Sequence, residues 1–394
     1  MDLVVFIVDL RELPEAARRY ILYHTIACPL TFTWFMLPYY LLVTGLTVLE
    51  VGLLFTAVNL AAIGVTAVIG RFFTERDVRR GLVLIDLLGG ISSIFYGFAS
   101  GPLASLIVFA GMLIEKISLP LYPLYQAYER SVYPRDRLKE ALIWHLRLPE
   151  LAIVVTYPIF GYLLGVLCPH PYCIRAAFLA FGIATILLVP IQLAILPSVV
   201  PSKAEEEVVE EPRWLRLYVL AELVFTLAWS LAPTLSLVYY VVEVYRGGLL
   251  HIALIEVSIS SAMILATFIA ERIERGEGHR VLQAGTLLTT LGIVGVVAAP
   301  SFPLLLLAFH IVRLGDALVF IFKRMWLYEL VPARKAALVP SYIAALREAL
   351  SLASPMIASS LSMIDPRAPY TASLTLFILL LIIYRRSREY FRES

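Results

Sequence analysis

The chain has 394 residues, 60% of them hydrophobic and 16% charged, with a formal net charge of +2 and a mean hydropathy of +0.85. That hydropathy excludes an ordinary soluble domain, because a soluble core buries a few wholly apolar helices but not about a dozen. The near-neutral charge leaves no electrostatic footprint for nucleic acid, so no nucleic-acid partner is expected.

The opening MDLVVFIVDLRELPEAARR does not resemble a cleaved signal peptide: acidic residues flank its short apolar run and no small-residue cleavage pattern follows. Apolar runs long enough to cross about 30 Å of hydrocarbon come next. Six lie at about 20–43, 46–69, 81–100, 102–125, 139–167 and 175–197. Six more lie at about 215–242, 249–270, 280–299, 303–328, 337–362 and 369–384. Backbone in lipid must satisfy itself, so even strand-like stretches such as VVTYPIF are read as helix. The expectation is an all-α polytopic membrane protein with twelve transmembrane helices.

Loop charge alternates along the chain. Arg71–Arg80, Arg130–Lys139, Lys203–Arg216, Arg272–Arg280 and Lys323–Lys335 are basic or mixed loops, and both termini share their character. The intervening loops hold only Arg175, Arg246 and Arg367 as basic residues. The positive-inside rule therefore places the charged loops and both termini in the cytoplasm of a multi-pass cell-membrane protein. Trp144, Trp214 and Trp326 fall near cytoplasmic span ends, where interfacial tryptophans are expected.

Ionisable residues inside spans are costly and mark the bundle interior or a wet path. Glu50, Asp86, Glu222 and Glu256 are shallow, Glu115 and Lys116 lie nearer the cytoplasmic end of the fourth span, and Glu150, Arg313, Asp316, Arg347 and Glu348 are deep. Arg147–Glu150 and Arg313–Asp316 have i,i+3 spacing, which suits pairing within a helix. Such pairs either hold helices together or exchange protons and meet solute. Pro38, Pro158, Pro233 and Pro355 fall within spans, each a static kink or a bend that shapes a cavity.

The CPHPYC loop places Cys168 and Cys173 on the outer side, where a disulfide is expected, with two free thiols as the alternative. Cys28 lies in an apolar span as a packing residue. There is no HExxH, no clustered metal-ligand pattern, no Walker loop and no catalytic constellation, so neither a metal, a cofactor nor an enzymatic activity is expected. Asn59 is the sole asparagine, which fits a heat-adapted (thermophile) protein.

The chain echoes itself. WFMLP at Trp34–Pro38 matches WSLAP at Trp229–Pro233, 195 residues later, and Lys116 falls 197 residues before Arg313. Arg137 precedes Pro158 by 21 residues, as Arg334 precedes Pro355. The proline-flanked acidic stretch PSVVPSKAEEEVVEEPR suits a linker, giving an N-terminal half (1–197), an acidic linker (198–213) and a C-terminal half (214–394). Internal duplication of this kind is common among secondary transporters.

With these features the sequence resembles the major facilitator superfamily (MFS) of secondary transporters, over about residues 18–386. Gly64, Arg71, Arg79 and Arg80 give a loose version of its charged turn between the second and third helices. Gly70 stands where an acidic residue precedes the arginine, a part that Glu75 or Asp77 could take; the second half keeps Glu271 and Arg272. The resemblance implies two pseudo-symmetric six-helix bundles and a cytoplasmic gate built from Arg71, Glu75, Asp77, Arg80, Glu271 and Arg272. The same residues could instead serve only as an orientation signal with helix-end caps. It also implies a central cavity lined by the first, fourth, seventh and tenth helices. Carried onto this chain, that favours Asp316, Arg313, Glu115 and Lys116, and with less weight Glu222, Trp34, Trp229 and His24. Lys116 and Arg313 allow an anionic solute, unless Glu115 and Asp316 cancel them. TYPIFGYLLG (Thr156–Gly165) faintly resembles the fifth-helix motif of proton-coupled exporters, without its paired glycines. The expected function is secondary transport of a small-molecule substrate, coupled to protons by alternating access and tilted toward export, by a monomer contacting membrane lipid. A non-transport sensor, a lipid-handling protein of similar fold and an integral membrane enzyme are the alternatives.

Overall fold

Apolar chain in lipid has few ways to satisfy its backbone, and every regular element among the described residues is helical. The computed structural model describes residues 10–72, 77–118, 121–134, 136–199, 213–273, 277–330, 343, 346–347 and 349–386. The helices are α1 (Glu15–Ala27), α2 (Thr33–Val43), α3 (Val48–Phe72), α4 (Val78–Phe98), α5 (Ala104–Ser118), α6 (Pro123–Val132), α7 (Leu138–Tyr162) and α8 (Pro171–Ile195). They continue as α9 (Arg213–Leu231), α10 (Thr234–Tyr245), α11 (Leu249–Arg272), α12 (Gly278–Ala298), α13 (Phe302–Leu330), α14 (Ser354–Ile364) and α15 (Ala368–Arg386). Ten helical runs among the described residues are long and apolar enough to cross a membrane, and Val48–Ala62 and Ala349–Ile364 are shorter apolar helices.

Several spans are broken where the sequence suggested one rod. The first is α1 and α2 joined by a 3-10 turn, Cys28–Phe32, with Pro29 in its opening turn. Across the expected 102–125 span the described residues form a 3-10 turn at Gly101–Leu103, α5 from Ala104 to Ser118, and the start of α6 at Pro123, whose missing N–H suits a helix start. Pro38 and Pro158 lie inside α2 and α7, as expected. Pro233 and Pro355 do not lie inside helices: Pro233 is the residue before α10, splitting it from α9, and Pro355 occupies the first turn of α14. A proline placed there loses no intrahelical bond.

Packing follows the apolar faces. Helix α4 lies against α5 and α8, α12 against α13 and α15, and α9 against α15. The most extensive contacts between the early and late parts of the chain are α7 with α11, α3 with α14, and α2 with α10. Small residues permit the closest approaches. A Cβ on Gly315 of α13 would fall 2.3 Å from the Gly285 carbonyl of α12, so those two backbones touch. Leu106, Val155, Leu187 and Ile364 point outward and are exposed. An apolar belt of this kind fits contact with lipid. Trp144 is not interfacial as expected but buried, its ring beneath the Arg147 guanidinium. The side chains of Trp214 and Trp326 lie outside the described residues.

Candidate functional site

Tyr218, Glu222, Phe225 and Trp229 recur at spacings of four, three and four residues, which puts them on one face of α9. That face lines a cavity of about 410 Å³, closed by Lys323 and Arg324 of α13, by Arg347, and by Gln126 of α6. Glu222 is the buried centre of its charges. It accepts from Lys323 Nζ at 2.8 Å, from Arg347, and from the Tyr218 hydroxyl at 3.1 Å. The Lys323 ammonium also stands 4.0 Å from the Phe225 ring centre, a cation–π contact in a desolvated place.

Deeper in the bundle lies a cluster of opposite balance. Arg313 donates to Asp316 one helical turn away at 2.5 Å, and Trp229 Nε1 donates to the other Asp316 oxygen at 3.3 Å. Glu150 from α7 and Glu256 from α11 also act electrostatically on Arg313. Acids from three helices thus act on one guanidinium, with Asp316 in direct contact. Arg313 lies about 17 Å along α13 from its start, which is near mid-membrane depth for a span of about 30 Å.

Two further ionic contacts tie distant parts of the chain. Glu129 of α6, fully buried, pairs with Arg324 of α13; His145 Nε2 lies 3.7 Å from the same carboxylate and the Tyr20 hydroxyl donates to it at 3.4 Å. Arg147 of α7 does not pair with Glu150, as i,i+3 spacing suggested. It donates to Glu271 at 2.7 Å and to Thr267 Oγ1 at 2.9 Å, with the Phe268 ring 4.0 Å away. Helix α11 therefore offers the guanidinium a charge, a hydroxyl and an aromatic face together, more than one carboxylate on its own helix supplies.

The remaining expected residues scatter. Glu115 accepts from Tyr96 at 2.7 Å and interacts with Trp34, which is otherwise half exposed. Lys116 is partly buried beside it on α5. His24 stacks on His145, with ring centres 4.7 Å apart, and is not among the residues lining the cavity. Asp77 caps α4, accepting from Arg79 N at 3.0 Å and from Val199 N at 3.1 Å. Arg80 and Arg272 are exposed; Glu75 and the side chain of Arg71 lie outside the described residues. Cys168 and Cys173 meet with sulfurs at bonding distance and Cα atoms 6.1 Å apart. Among the described residues, no group of three His, Cys, Asp or Glu side chains is placed to hold a metal.

Sequence reasoning missed Glu129, Lys323 and Arg324 as interior groups. Lys323 and Arg324 stand at a span end, where charge reads as loop; only the i,i+3 and i,i+4 alignment with Phe320 on the α13 face hints otherwise.

Residues 20–355 match the family described as Major Facilitator Superfamily. Among solved structures, the chain is similar to the human organic anion transporter MFSD10 (TETRAN), with 16% identity and a TM-score of 0.69 over 95% of this chain and 100% of that one. It is also similar to a bacterial homologue of the iron transporter ferroportin in an outward-facing state, with 14% identity and a TM-score of 0.66 over 97% of this chain and 100% of that one. At such identities the likeness is one of fold. No curated protein matches the sequence.

Proposed function

The chain belongs to the major facilitator superfamily of membrane transporters, and on that premise we propose that it is a proton-coupled secondary transporter of a small solute. It moves its solute rather than transforming it. In this reading twelve spans form two six-helix halves, 1–197 and 214–394, with both termini in the cytoplasm, and the halves rock to expose the cavity to each side in turn. Parallel Trp–acid pairs support the duplication: Trp34 with Glu115, and Trp229 with Asp316. The direction favoured is export, on the TYPIFGYLLG resemblance. The charged turns form the cytoplasmic gate, and Glu271 is the member that reaches across from α11 to α7.

The observation that supports proton coupling is that Arg313 pairs with Asp316 while Glu150 and Glu256 also act on it electrostatically. One guanidinium compensates one carboxylate; a proton on another acid lowers the charge left inside the bilayer. In this reading Asp316 transmits that change, because the same carboxylate holds Arg313 and the cavity residue Trp229. Protonation would loosen both contacts, which couples occupancy of the acid cluster to the cavity wall.

Purified protein in liposomes tests this. A pH gradient should drive solute accumulation together with proton movement read by an internal pH dye. Asp316→Asn should retain solute counterflow, which needs no net coupling, while gradient-driven accumulation falls by at least about tenfold, the loss of roughly 1.4 kcal/mol of coupling. Full gradient-driven accumulation by the variant would remove Asp316 from the mechanism. Equal loss of both activities with lowered thermal stability would make the residue structural.

A further inference from the structure

We propose that the cavity beside Glu222 is the solute site and that it takes a small ring-bearing organic acid, its carboxylate seated between Lys323 and Arg347. The purpose of the site rests on the transport reading above; its chemistry rests on the cavity itself.

The charge balance comes first. Lys323 and Arg347 converge on one carboxylate, Glu222, with Lys323 at Oε1 and Arg347 at Oε2. Within this triad one positive charge is left over. Lys323 and Glu222 are buried, so bulk water does little to screen that excess. Arg324 also lines the cavity but is engaged by Glu129 and is left out of the count. The second observation is an unpartnered donor. Arg347 Nε is buried and has no hydrogen-bond partner, while the side chain as a whole is 40% exposed and lines the cavity. A guanidinium that spends one edge on Glu222 and has an unused donor is suited to a second planar oxyanion.

The walls set the rest of the class. Phe225, Trp229 and Phe320 supply aromatic faces, and Thr226, Ser230 and Gln126 supply neutral polar groups. No second acid among the described lining residues repels an anion. A water occupies about 30 Å³ in the liquid, so a cavity of about 410 Å³ holds a ring acid with room for several waters. Glu222 then acts as an internal competitor: it holds both cations while the cavity is empty, and the solute carboxylate must share them.

Calorimetric titration of the purified, detergent-solubilised protein tests this without any gradient. The probes are benzoate, phenylacetate, and benzamide as the neutral counterpart of benzoate. Both acids should bind saturably, and benzamide at least about tenfold more weakly, as expected for loss of a charge-assisted hydrogen bond. Arg347→Gln should weaken benzoate by about tenfold or more, and Arg347→Lys should restore part of the loss, keeping charge without the planar fork. Glu222→Gln should tighten benzoate by removing the competitor. Benzamide binding as tightly as benzoate, no binding of either acid at millimolar concentration, or unchanged benzoate affinity in a folded Arg347→Gln would each overturn the proposal. Either substitution, Arg347→Gln or Lys323→Gln, strips Glu222 of one partner, but Arg347 is 40% exposed and Lys323 is buried, so Arg347→Gln is the variant chosen for the test. Benzoate binding without proton-linked flux in liposomes would sink the transport reading and leave the site standing. Proton-linked flux of another solute without acid binding would do the reverse.

Discussion

Asp77 shows how much one carboxylate can fasten. Its side chain caps α4 through the Arg79 amide and also accepts from Val199 N, while Val78 N donates to the Val199 carbonyl at 2.8 Å. Arg79 in turn donates to the carbonyls of Leu193 and Leu196, satisfying the end of α8. Burial pushes the Asp77 carboxyl up, but hydrogen bonds from Ser198, Val199 and Arg79 and the Arg79 charge outweigh it and hold it below its ordinary value. A carboxyl depressed in the folded state stabilises at pH above the unfolded value, about 3.9, and loses that contribution as pH falls through the folded value. Asp77→Ala should therefore cost about 1–2 kcal/mol at neutral pH, the range for a lost N-cap. The gap from the parent should narrow only in strong acid. Thermal unfolding in detergent across pH checks both; equal stability at pH 7 would show that the cap carries no weight. An acid just before an apolar run is legible as a cap, but its bond to Val199, 122 residues away, is not. The same limit explains Arg147. Its spacing to Glu150 equals that of Arg313 to Asp316, and only the second pair forms, because residues on another helix decide the first.

At the level of whole helices, hydropathy locates ten runs among the described residues that are long and apolar enough to span, since lipid leaves an apolar run little alternative to helix. It locates breaks poorly. Pro233 and Pro355 look interior in a hydropathy profile, yet each stands at a helix start, where proline costs least. Helix contacts are harder still, because a glycine in a sequence does not name its neighbour. Gly52 of α3 is such a case: a Cβ there would lie 2.1 Å from Ser359 Oγ and 2.8 Å from the Pro355 carbonyl of α14. A hydroxyl can swing away, but a backbone oxygen cannot do so alone. Gly89 of α4 is the control, with nothing within 4 Å of its would-be Cβ. Gly52→Val should destabilise by about 1–3 kcal/mol through overpacking. Gly89→Ala should be neutral or stabilise by up to about 1 kcal/mol through helix propensity. Unfolding midpoints of the pair decide the matter, and a harmless Gly52→Val would mean that α3 and α14 can separate freely.

Over the whole molecule, family membership was legible from span count, loop charge and echoed motifs, none of which depends on a side-chain contact. The contacts that join distant parts of the chain were not legible. Arg147 with Glu271, Glu129 with Arg324, and Asn59 with the carbonyls of Ser351 and Leu352 link residues more than 120 positions apart. If the proposed halves rock, contacts of this kind must break or persist, and the Arg147 strap is the one whose breaking can be followed most directly. Arg147 is buried, while its partner Glu271 is 42% exposed. Removing the arginine therefore strands no deeply buried charge, and the exposed partner lowers the value of the pair. Lys139 Nζ still donates to the carbonyls of Glu271 and Ile273 at the end of α11, so the helices remain tethered. Arg147→Gln should thus shift the balance toward a state open between α7 and α11 by about 1 kcal/mol, roughly a fivefold change in population. Hydrogen exchange should quicken at residues 138–147 and 264–273 and stay unchanged in α12, which lies outside the strap. In liposomes the turnover rate should change while solute affinity at the Glu222 cavity holds. Unaltered exchange in both segments would show that α7 and α11 are held by their packing alone. Faster exchange throughout the chain would show a general loss of stability instead of a released strap.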